Sequence, residues 1–184
     1  MFLIFLLVII FLIYTYFTVN NHYNKTHRRW KHTGELKVFL ADIDVYYEIE
    51  DIAKRAFQEW EDASDKLFTF KFVKTAEVSD IAVYTYKNIP NMKWDETHCG
   101  YSSDYLEGQF ITKNTITIAL NDNITNRTFS YDEIYITMLH EIGHSLGLNH
   151  NSNKNAVMYY KHTGLNHLTE LDIAELKHRY CITK

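Results

Sequence analysis

His140-Glu141-Ile142-Gly143-His144-Ser145-Leu146-Gly147-Leu148-Asn149-His150 is the stretch on which the reading of this 184-residue chain turns. On a helix, His140 and His144 stand four residues apart and project from one face, one turn above the other. Both imidazoles can then reach a single metal ion. Glu141 leans to the side of that face, where it can touch a water on the metal without becoming a ligand. Gly147 can take positive φ without steric cost, so the helix can stop there and the chain can bring His150 round as a third ligand. Three protein nitrogens leave a fourth position for water, the arrangement of a catalytic rather than a structural zinc site. The expected cofactor is therefore one Zn²⁺ on His140, His144 and His150, with Glu141 as general base. Two surface histidines ahead of a glycine stop would explain a lone His-x-x-x-His. Agreement at five specified positions arises by chance only on the order of once in ten thousand such chains.

Outward from this stretch the periodicities predict regular elements. Leu36 to Leu40 alternates and suits a first strand. Between Glu50 and Ala63, apolar residues at Ile52, Ala53, Ala56, Phe57 and Trp60 form a helical stripe that packs on a sheet. Leu67 to Val73, Ile81 to Tyr86 and Thr115 to Leu120 read as strands. Lys87 to Asn114 holds the one proline and reads as loop, with a short strand over Cys99 to Ser103. Ser130 with Glu133 three residues on forms a capping box for a helix running to Leu146. Thr169 caps a last helix to about Tyr180, with acids in its first turn and Lys177, His178 and Arg179 in its last. This order predicts an α/β (α+β) domain with a twisted mixed sheet, its cleft above a small lower part that begins at Gly147.

A methionine follows the histidines at short spacing, in Ala156-Val157-Met158-Tyr159. The motif and this turn together resemble the metzincin zinc peptidases, and in particular their matrixin branch. The likeness extends to Ala56-Phe57-Gln58-Glu59-Trp60, to Leu67-Phe68-Thr69-Phe70, to Ser79-Asp80-Ile81-Ala82-Val83 and to Leu168-Thr169-Glu170-Leu171-Asp172-Ile173. It covers residues 30 to 181 and implies a zincin-like fold with a five-stranded sheet, an active-site helix and a C-terminal helix. It implies Met158 as a hydrophobic floor under the metal, and Ile136 in the pocket for the substrate side chain after the scissile bond. Matrixins usually carry proline where this chain has Tyr160. The astacin and serralysin branches carry a tyrosine there, which suggests that Tyr160 is a catalytic hydrogen-bond donor to the oxyanion, against the plainer role of a pocket-wall aromatic.

Departures from the family pattern carry expectations of their own. No Pro-Arg-Cys-Gly motif occurs and few residues precede the domain, so latency through a cysteine on zinc is not expected. Of the acidic pair near the last helix, Asp172 remains and Leu171 replaces its partner. Asp95 and His98 alone do not complete a second zinc site, and a calcium loop rich in glycine and aspartate is missing, which leaves calcium possible but unsupported.

Composition narrows the setting. The net charge is −4 with no basic block, which gives no support for a nucleic-acid partner, and a monomer is expected. Phe2 to Val19 is an apolar run long enough to cross a bilayer, so residues 1–19 read as a signal peptide or membrane anchor, 20–33 as a linker and 34–184 as the matrixin-like domain. Lys25, Arg28, Arg29 and Lys31 follow that run, which by the positive-inside tendency would hold the domain in the cytoplasm. The secretory or extracellular setting implied by the resemblance opposes that orientation. Sequons at Asn24, Asn123 and Asn126 are about as many as chance supplies. Cys99 and Cys181 fit one disulfide or two thiols, and the resemblance places them apart. The function expected is a zinc endopeptidase acting on proteins or peptides. The alternatives are a silent zinc-binding module that holds a protein partner in its cleft, which the intact Glu141 argues against, and an aminopeptidase, for which no acidic anchor is identifiable.

Overall fold

A computed structural model of the chain describes residues 9–16, 18, 27–41, 47–89 and 99–181. In chain order the elements are a short helix α1 (9–16), β1 (Arg29–Trp30), β2 (Gly34–Leu40), α2 (Tyr47–Ala63), β3 (Phe68–Val73), β4 (Ile81–Tyr86), β5 (Gly100–Glu107), β6 (Phe110–Ala119), α3 (Tyr131–Ser145) and α4 (Glu170–Arg179). The α/β architecture with a mixed sheet expected from the sequence is the one found, with six strands in the sheet rather than five. The sixth is β1, whose Arg29 and Trp30 pair in parallel with Phe110 and Ile111, inside the stretch read above as linker.

The sheet runs β1-β6-β4-β2-β3, all parallel, and β5 pairs antiparallel with β6 from Gly100 opposite Ile118 to Glu107 opposite Phe110. Helix α2 supplies the crossover between parallel β2 and β3, as such pairs require. Its predicted stripe is the face that packs: Ile52, Ala53, Ala56, Phe57 and Trp60 are all buried, joined by Ile49 from an extra first turn. β5 is longer than the expected strand over Cys99 to Ser103, because Gly108 at φ +62 closes a tight hairpin that keeps both chains paired to the turn.

Against the sheet and α2 lies α3. The Trp60 indole donates to the Leu139 carbonyl across 2.9 Å, tying the two helices in the core. The capping box at Ser130 is formed as expected: the Ser130 hydroxyl accepts from the Glu133 N–H, and the Glu133 carboxylate accepts from the Ser130 N–H.

The apolar N-terminal run is described only in part. Its residues 9–16 form α1 with mostly exposed side chains, and the rest lies almost wholly outside the described residues. Among those described, no helix is long and apolar enough to cross a membrane. His98 and Asp95 also lie outside them. Cys99 and Cys181 are both free thiols.

Candidate metal centre

The last two turns of α3 carry His140 and His144 on one face, over the end of a cleft of about 320 Å³. Helix α3 ends at Ser145 with Leu146 as its cap, and Gly147 turns the chain at φ +90, a conformation that a side chain would strain. The turn delivers His150. One ligand atom from each of His140, His144 and His150 lies within 4.8 Å of the others, and this is the one group of three or more candidate metal ligands among the described residues.

Two backbone carbonyls orient the rings. His140 Nδ1 stands 2.8 Å from the Val157 oxygen, and His144 Nδ1 stands 2.9 Å from the Leu148 oxygen. A carbonyl can only accept, so each Nδ1 carries the hydrogen and each Nε2 keeps its lone pair. Burial holds His140 down to about 4, and burial, reinforced by the His140 ring, holds His144 down to about 3. Both are neutral at physiological pH, as metal ligation requires.

Glu141 is the other buried group here. Its Oε2 has no hydrogen-bond partner in the protein, and burial pushes its carboxyl up to about 8. The ionised form that a general base needs is therefore favoured only beside a cation. A divalent ion on the three imidazoles would be that cation, so the donor set and the orphaned carboxylate fit zinc together.

The methionine turn sits beneath. Gly143 makes room for it: a Cβ at Gly143 would stand 2.3 Å from the Met158 sulfur and 3.0 Å from the Trp60 ring. Asp172, wholly buried on α4, accepts from the N–H groups of Val157 and Met158 at 3.0 Å each. It also accepts from Thr169 N–H and Oγ1. The sequence identified Asp172 as a surviving acid, and its contacts now give it a structural role, since it fixes the turn that supplies the His140 acceptor.

Of the other expected site residues, Ile136 lines the cleft, with Leu165, Tyr159 and Tyr160. Tyr160 stands at the rim, 56 % exposed, its ring 4.5 Å from that of Tyr159 and 5.3 Å from Lys161 Nζ. A hydrogen bond with the Tyr159 hydroxyl, helped by the Lys161 charge, holds the Tyr160 phenol below its ordinary range. Cys99, Gly100, Tyr101 and Ser102 of the β5 side face the same cleft. Sequence reading missed Arg28, which also lines it and donates from Nη2 to the Leu148 oxygen at 3.2 Å. A contact between residues 120 positions apart leaves no local signal in the sequence.

Comparison with known proteins agrees with this geometry. Human neutrophil collagenase is 32 % identical over 112 residues, which is 61 % of this chain and 23 % of that protein, so the match spans about a quarter of its length. The family profile described as matrixin matches residues 23–181. A match over most of the chain, which takes in the three-histidine cluster that suits zinc, means that this chain belongs to the matrixin family.

Proposed function

We propose that the chain is a zinc-dependent endopeptidase that hydrolyses internal peptide bonds of protein substrates. The observation that carries this reading is the meeting, in one cleft, of three convergent imidazoles and the unpartnered buried oxygen of Glu141. His140, His144 and His150 would hold the ion, which when bound supplies Lewis acidity for activating water and polarising the substrate carbonyl. Glu141 Oε2 accepts the proton of the attacking water and passes it to the leaving amine. The Tyr160 hydroxyl, at the cleft rim, donates to the oxyanion. An extended substrate lies along β5, whose one described partner is β6, and borrows main-chain hydrogen bonds from its other edge. Ile136 and Leu165 favour an apolar side chain in the cleft beyond the scissile bond.

This reading places the domain in secretory or extracellular space, released or tethered through Phe2 to Val19. The test is digestion of a mixed peptide library by the 184-residue chain, with and without a chelator, beside Glu141→Ala. Internal cleavages that need both the metal and Glu141 are expected. Bound zinc without cleavage of any peptide would replace the enzyme with a binding module.

A further inference from the structure

The segment that precedes β2 braces the end of the active-site helix at a set of carbonyls. A helix leaves its last carbonyls without intrahelical donors. Here the Ser145 oxygen receives the Trp30 indole N–H at 2.8 Å, and the Leu146 oxygen receives the Tyr180 hydroxyl at 2.9 Å. The Leu148 oxygen, just past the turn, receives two donors: His144 Nδ1 and Arg28 Nη2. A carbonyl has two lone pairs, so both bonds can be made at once. Arg28 also meets the turn through its main chain, since a Cβ at Gly147 would stand 2.5 Å from the Arg28 oxygen.

Arg28 is itself held. Its Nε stands 3.0 Å from Asp104 Oδ2, with the Asp104 side chain 7 % exposed. The other oxygen of Asp104 accepts from Asn114 Nδ2 at 2.7 Å, and Asn114 is wholly buried on β6. The chain of contacts runs from the sheet through Asn114, Asp104 and Arg28 to Leu148, and from there to His144. The guanidinium donates from Nη2 to Leu148 and pairs by charge with Asp104, although its buried Nε makes no aligned hydrogen bond, and a broad planar cation spans the two groups where a compact ammonium does so poorly. The positive charge also sits near the negative end of α3.

We propose that Arg28 is a positioning residue for the metal centre: anchored by Asp104, it fixes the Leu148 carbonyl that orients the His144 imidazole and starts the loop to His150. This proposal rests on the zinc reading above. Groups that hydrogen-bond to metal ligands set the orientation of those ligands, and losing such groups weakens metal binding by about 10–100-fold.

The experiment compares zinc dissociation constants, by chelator competition, for the wild-type 184-residue chain and for Arg28→Met, Arg28→Lys and Trp30→Phe. Cobalt-substituted absorption spectra are recorded alongside. Arg28→Met is expected to bind zinc about 10–100-fold more weakly with altered cobalt bands, and Arg28→Lys to fall between it and wild type. Trp30→Phe breaks the bond to Ser145 without touching Leu148; it is expected to lower the melting temperature while zinc affinity stays within about twofold. Arg28→Met with wild-type affinity, or Trp30→Phe losing zinc as severely as Arg28→Met, would overturn the proposal by making Arg28 part of a general strap. If Arg28→Met does not fold, Arg28→Lys decides: wild-type affinity and spectra in that variant also overturn it. A wild-type chain that binds no zinc would instead refute the metal reading itself.

Discussion

Asp172 and His140 grip opposite sides of one residue. The carboxylate takes the N–H of Val157 at 3.0 Å, and the imidazole gives its Nδ1 hydrogen to the carbonyl of the same residue at 2.8 Å. The acid on α4 is thus one residue removed from a candidate zinc ligand. Asp172→Ala would remove the acceptor of four donors: the buried N–H groups of Val157 and Met158, and the half-buried N–H and hydroxyl of Thr169. A loss of about 3–5 kcal/mol of stability is expected, as for other buried charged hydrogen-bond hubs. Zinc affinity should fall together with it, about 10-fold or more. Urea denaturation and chelator competition check the two effects separately.

Gly143 stands where Met158 must pass. Gly143→Ala forces the Met158 sulfur and the Trp60 ring apart, and overpacking of this kind costs about 1–3 kcal/mol. Met158→Ala removes the obstacle, so Gly143→Ala should cost much less in that background. A double-mutant cycle by thermal melting measures the coupling, and additive losses would show that the methionine moves aside freely.

Glu133 links stability to pH. The Arg127 guanidinium, then the Ser130 N–H and hydroxyl, hold its carboxyl down to about 2. A carboxyl whose folded pKa is depressed contributes stability above its unfolded value of about 4.5, and the contribution is lost as pH falls through about 2. Glu133→Gln should therefore be less stable than wild type at neutral pH, by about 1 kcal/mol given the exposure of the Arg127 pair. The gap should close progressively between about pH 4.5 and 2, as followed by denaturant midpoints across that range. A gap independent of pH would assign the effect to helix capping alone.

Tyr160 separates two roles. If its hydroxyl stabilises the oxyanion, Tyr160→Phe lowers kcat by about 10²-fold with KM little changed. Steady-state kinetics on a single fluorogenic peptide decide, and full turnover would leave Tyr160 as the ring that packs at a tilt against Tyr159 and underlies Lys161.

Local patterns proved more legible in sequence than the long-range contacts that support the candidate site. The cap at Ser130, the stripe on α2 and the turn at Gly147 are local patterns, and each sits where its residues said. The two-residue strand β1 was hidden among basic residues, since two residues have no periodicity and Trp30 is buried by partners far along the chain. The parts played by Asp172 and Arg28 were hidden for the same reason: both act on main-chain groups, which carry no sequence identity. The end of β5 escaped prediction because Leu106 and Glu107, exposed next to a glycine, read as loop.

The placing of Asp172 and Tyr180 beyond all three histidines in the chain has a consequence for timing during synthesis. A ribosome releases the histidines first, before the acid that fixes the methionine turn and the tyrosine that caps the Leu146 carbonyl. A partly made chain holds the ligands and the carbonyls that orient them, but lacks the acid that steadies the turn at Val157. The brace on the methionine turn and the cap on the Leu146 carbonyl therefore form only once α4 has been made and has docked, so the candidate metal centre is the last part of the domain to gain its full support.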